Sequence, residues 1–117
     1  MATIDPKTVT FDPSAFRAWL EQANGGEVGM ACDSNTCPVA RWLHAQYGVD
    51  FYVSPYDDTA IDGSGDGCCL DLVPVSTPEW VRRFVREVDR RAAFCHASVD
   101  GRTALEVLDT LLSGGGE

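Results

Sequence analysis

The sequence predicts an α+β domain: a small three-stranded sheet with about four helices packed mainly on one face. Two observations lead there. Four segments place apolar residues at the i, i+3, i+4, i+7 spacing of a buried helix stripe, and three shorter ones alternate apolar with polar residues as half-buried strands do. In order they read α-β-α-β-β-α-α, and 117 residues can bury one core without a disulfide or a metal. One domain is expected over 1–117, with flexible ends at about 1–9 and 113–117.

The first helix opens at Phe11-Asp12-Pro13, where Asp12 suits the N-cap, Pro13 the first turn, and Phe11 can staple onto Phe16. Phe16, Trp19, Leu20 and Ala23 form its stripe, and Asn24-Gly25-Gly26 ends it. Residues 27–32 then alternate, with Val28, Met30 and Cys32 on one face of a short strand that Gly29 weakens. A turn over 34–38 leads into a second helix, with Val39, Trp42, Leu43 and Tyr47 inward and Gly48 as its stop.

Val49, Phe51 and Val53 predict a second strand, and Leu70 and Leu72 around Asp71 a shorter one as its hairpin partner. Between them YDDTAIDGSGDG is too long for a tight turn, and Pro55 to Gly67 is expected to be the most mobile internal segment. Pro78-Glu79 opens the third helix, which sets Trp80, Val81, Phe84, Val85, Val88 and Ala92 against Arg82, Arg83, Arg86 and Arg90. A fourth helix, about Arg102 to Leu112, is expected to bury Ala104, Leu105, Leu108, Leu111 and Leu112.

Cys37-Pro38-Val39-Ala40-Arg41-Trp42-Leu43, with Gly48 and the later Pro78-Glu79-Trp80 and Phe84-Val85-x-x-Val88-Asp89, resembles small bacterial and phage proteins without an established activity. The resemblance covers about the middle half of the chain and consists of core and cap residues. It implies a shared fold and transfers no site.

No apolar stretch is long enough to span a membrane, and MATIDPKTVT has neither the basic nor the apolar region of a secretory signal, so a cytoplasmic location is expected. Five cysteines in that reducing compartment are expected to be thiols. A net charge of -9 disfavours direct binding to nucleic acid or an anionic membrane. The charge is also segregated. Trp42 to Val81 holds Asp50, Asp57, Asp58, Asp62, Asp66, Asp71 and Glu79 with no Lys or Arg, whereas residues 82–91 carry five Arg against Glu87 and Asp89.

This layout predicts a non-enzymatic acidic interaction protein, a binder or inhibitor of a basic protein such as a nucleic-acid-binding protein or a toxin. Tyr56, Asp57, Asp58, Asp62 and Asp66 would supply the contact. A homodimer whose basic helix meets its twin's acidic loop is a further reading of the same charges.

The alternative from a different class is a thiol- or zinc-dependent enzyme, or a metal-stabilised domain, using Cys32, Cys37, Cys95 and His96. Cys37 precedes Pro38 at a helix N-terminus, where the macrodipole would lower a thiol pKa. Against this, His44 lies two turns along the same helix, about 10 Å away, and there is no C-x-x-C. Cys32 ends a strand pattern and Cys95 continues a helix stripe, so both read as small buried hydrophobes, with His96 as a cation near a helix C-terminus.

Asp62 to Gly67 matches the start of a calcium loop, but position 12 is Val73 where a Glu should close the shell. G-x-S-x-G and the glycine-rich nucleotide motifs are missing. No catalytic residue, cofactor or metal is therefore expected.

Overall fold

Asp12 accepts the Ser14 amide at 3.0 Å and Pro13 follows it, so α1 (Pro13–Gln22) begins where the cap residues dictate. The computed structural model describes residues 8–56, 58–62 and 72–114. Within them lie α2 (Pro38–Tyr47), α3 (Glu79–Arg91) and α4 (Gly101–Gly114), the last starting one residue earlier and ending two later than its apolar stripe suggests. Gly48 ends α2 in the left-handed conformation at φ 76°, which explains the glycine there. The fold is α+β, as the patterning predicts.

The strands form two sheets. β2 (Phe51–Tyr52), β3 (Thr59–Asp62) and β4 (Leu72–Val75) make an antiparallel three-stranded sheet in the order β2-β3-β4. β1 (Glu27–Met30) pairs instead with β5 (Ser98–Asp100), also antiparallel. The stretch expected to be loop therefore supplies the central strand, and the hairpin partner of β2 is β3, with β4 beyond it. β3 escapes the sequence pattern because Ile61 is its only large apolar residue; its other inward side chain is Thr59. The Thr59 amide donates to the Thr77 hydroxyl at 2.6 Å, and the two hydroxyls lie 2.9 Å apart, so the buried polar atoms at this strand entry satisfy one another.

β1 departs from strict alternation for a geometric reason. Its register with β5 shifts between Glu27 and Gly29, so Val28 and Ala31 are buried while Cys32 is exposed, in place of the expected Val28, Met30, Cys32 face. Gly29 is required by close approach. A Cβ there would stand 2.5 Å from the Pro38 nitrogen and 2.7 Å from backbone atoms of Thr36 and Cys37, so β1 lies directly on the turn entering α2.

The core centres on Phe16, fully buried, whose ring centroid is 5.0 Å from that of Trp42, 5.1 Å from Phe84 and 5.8 Å from Trp80. All four helices feed it: Leu20 from α1, Val39 and Leu43 from α2, Val81, Val85 and Val88 from α3, and Ala104, Val107 and Leu108 from α4. Leu112 is 45 % exposed, contrary to the expected stripe, and Val107 takes a core position in α4. Among the described residues, no helix is long and apolar enough to cross a membrane.

Candidate functional site

The acidic segment leaves β2 at Val53, which is buried and donates its amide to the Ser34 carbonyl at 2.7 Å. Beyond it the backbone is held in turn. Tyr56 donates its amide to the Ser54 hydroxyl at 3.2 Å, and Arg82 of α3 donates to the Tyr56 carbonyl at 3.3 Å and to the Asp58 carboxylate at 2.7 Å. Thr59 then locks into the sheet. The Tyr56 side chain is left out in solvent, its residue 73 % exposed, the highest value among the described large hydrophobics. Of the other predicted contact residues, Asp62 closes β3 opposite Leu72, and Asp57 and Asp66 lie outside the described residues.

The charge segregation of the sequence is largely cancelled in space on the basic side. Arg82 pairs with Asp58, Arg86 with Glu79 at 3.3 Å, Arg90 with Glu87 at 2.5 Å, and Arg91 with both Glu87 at 2.8 Å and Glu106 at 3.3 Å. Elsewhere Arg17 joins Glu21 and Asp109, and Arg41 stands 3.5 Å from Glu27. The arginines on Glu87 hold its carboxyl down at about 2, below its ordinary 4.5. With these six arginines engaged by carboxylates of the same chain, the excess charge of the protein is negative.

A second cluster lies where the β1–β5 ladder ends. Ala31 donates to the Ala97 carbonyl and receives the His96 amide on its own carbonyl, each at 2.9 Å, which places His96 and Ala97 together opposite Ala31 as a bulge. The next residues outward, Cys32 and Cys95, are thereby brought close to each other. Both cysteines are exposed, so neither is the buried hydrophobe its pattern suggests. Cys95 lies past the end of α3: the helix stops at Arg91 and Ala92 is already extended at ψ 140°.

Cys32 at φ 61° and His96 at φ 65° both adopt left-handed backbone, a conformation that costs a residue with a Cβ about 1 kcal/mol or more. Side chains from two elements hold it in place. Asp89 of α3 accepts the Cys32 amide at 2.9 Å, and the His96 ring stands 3.4 Å from the Asp33 carboxylate. Hydrogen bonding to Cys95, followed by partial burial and the charge of Asp89, pushes the Cys32 thiol up to about 11. Asp33 simply follows Cys32 in the chain, and Asp89 had no sequence signal because it reaches Cys32 from α3.

Cys37 behaves differently from its expectation. It is the N-cap of α2, and the Ala40 and Val39 amides favour its thiolate, yet burial wins and pushes the thiol up to about 12. With Cys32 it lines a cleft of about 250 Å³ whose walls also include Asp33, Val53, Val85 and Asp89. Cys32, Cys37, Cys95 and His96 thus do not converge as four ligands, and among the described residues no three His, Cys, Asp or Glu side chains are grouped to hold a metal ion. His44 is on the exposed side of α2, with its Nδ1 3.2 Å from the Val49 carbonyl and 3.4 Å from Asp50.

The fold and these clusters define a small α+β protein with an anchored, tyrosine-bearing acidic segment and a thiol pair on a neighbouring strand end. No protein-family model matches the chain, and no curated protein or solved structure is similar to it.

Proposed function

We propose that this chain is a small acidic interaction protein that binds a basic protein surface through the segment around Tyr56. The observation that supports this best is the presentation of Tyr56: an exposed aromatic ring on backbone held by Ser54, Arg82 and Thr77. A tyrosine ring buries a large area on contact and has little rotamer freedom to lose, and a pre-ordered backbone spares the binding event further ordering cost. Around it the sequence sets Asp57, Asp58, Asp62 and Asp66, a carboxylate rim suited to lysine and arginine. The net charge of -9 argues against nucleic-acid phosphates as the direct target and for a basic protein, whose own function such binding would block.

Immobilised full-length chain and its Tyr56→Ala variant, each challenged with a lysate of the source cells at low salt, test this reading. The expected result is a positively charged protein retained by the wild type, released by salt, and retained on the order of tenfold less by Tyr56→Ala. Equal retention by both baits, or retention insensitive to salt, would count against it.

A further inference from the structure

The Cys32–Cys95 pair does not depend on how the acidic segment is used. Directly opposed residues of an antiparallel pair have Cα atoms about 4.5–5.5 Å apart, within the window of about 4.4–6.8 Å that a disulfide spans. The Ala31–His96 and Ala31–Ala97 backbone bonds bring these two cysteines together at the end of the ladder, and both are exposed. We propose that Cys32 and Cys95 form a reversible thiol–disulfide site that exchanges with small disulfides of the glutathione class.

The Cys95 thiolate attacks one sulfur of the oxidised glutathione-type disulfide, forming a mixed disulfide and expelling one thiolate. Cys32, deprotonated, then attacks the Cys95 sulfur and expels the second. Two protein thiols are oxidised to one disulfide while one small disulfide is reduced to two thiols, with the two protein protons passing to the leaving thiolates. Cys32, pushed up to about 11, is the poorer source of thiolate and is therefore assigned the resolving step. Cys37, in the core, is excluded by burial.

The bond would tie the end of β1 to the segment between α3 and β5, where Phe94 is 68 % exposed beside Cys95. Oxidation therefore fixes the conformation in which that ring is presented. It also closes a long loop of chain, so the oxidised form is expected to melt on the order of 10 °C higher.

The test equilibrates the wild-type chain in glutathione buffers from reduced to oxidised, blocks free thiols with an alkylating agent, and maps peptides without reduction. The expected product is one Cys32–Cys95 linked peptide, lost again in excess reduced glutathione, with the higher melting temperature. In Cys32→Ser, Cys95 is expected to keep one glutathione as a stable mixed disulfide. Linkage through Cys37, Cys68 or Cys69 in place of this pair, alkylation of both Cys32 and Cys95 in the most oxidised buffer, or a linked form that melts lower would each overturn the proposal. The mapping uses the wild-type chain, so its outcome does not require any variant to fold.

Discussion

Arg82 donates to the Asp58 carboxylate at 2.7 Å and to the Tyr56 carbonyl at 3.3 Å, so one side chain of α3 fixes the backbone on which the exposed tyrosine rides. The pair joins the acidic stretch to the helix of opposite sign within one chain. A surface ion pair contributes about 1 kcal/mol or less to stability, so its importance here is positional. Arg82→Ala is expected to lower the unfolding free energy by no more than about 1 kcal/mol while exchange of the Tyr56 amide hydrogen quickens. Unchanged exchange at Tyr56 would mean that Arg82 does not order the segment.

Gly29 faces the backbone of Thr36, Cys37 and Pro38 at distances no side-chain carbon tolerates. Unlike a side-chain end, that backbone cannot rotate away. Gly29→Ala is therefore expected to cost about 3 kcal/mol or more, measured by urea denaturation, because β1 must lift from the α2 entry turn. A loss under about 1 kcal/mol would show that the contact yields easily.

The helices were legible because their evidence is local. Asp12 and Pro13 stand beside the stripe they cap, and the apolar side of α3 recurs over 13 residues. β3 and β5 were not legible. Each has one large buried apolar residue, Ile61 or Val99, and what makes it a strand is a partner elsewhere in the chain, as Met30 is for Ser98. The thiol pair was misread for a related reason. No Gly or Pro lies between Arg91 and Asp100 to mark the end of α3, so the helical period was carried through Cys95 when the chain had already turned. Tyr56 stood out because an aromatic in a run of acids is conspicuous by composition, but the hydrogen bond from Arg82 to its carbonyl had no sequence signal.

Phe16 touches the rings of Trp42, Trp80 and Phe84, which come from two other helices. Removing it opens a cavity that three large aromatic rings cannot fill without leaving their own contacts. Phe16→Ala is expected to destabilise the chain by about 3–5 kcal/mol in chemical denaturation, with a changed tryptophan emission spectrum in the folded state. A loss below about 1.5 kcal/mol would place the centre of the core elsewhere.

Among the described residues three carboxylates are lowered: Glu87 by Arg90 and Arg91, Asp100 by the Thr103 amide and hydroxyl, and Asp109 by Arg17. A lowered group contributes stability in full above its unfolded pKa and loses it as pH falls through the folded value. For Glu87 that window runs from 4.5 down to about 2. Stability measured by urea denaturation is expected to hold near neutrality and fall steadily below pH 4.5, with a shallower acid limb in Glu87→Gln. An acid limb of unchanged slope in that variant would remove Glu87 from the account.

The most direct test of binding through the acidic segment is the rate at which the captured basic partner associates, measured across a salt series. Solvent-exposed carboxylates act over a Debye length of about 8 Å at physiological ionic strength, so they steer encounter more than they hold the complex. With Asp57, Asp58, Asp62 and Asp66 all changed to Asn, association at low salt is expected to slow on the order of tenfold and lose most of its salt dependence, while dissociation changes little. Tyr56→Ala is expected to do the reverse, speeding dissociation with association nearly intact. If the quadruple variant captures the partner at the wild-type rate at every salt concentration, the segment around Tyr56 is not the binding surface.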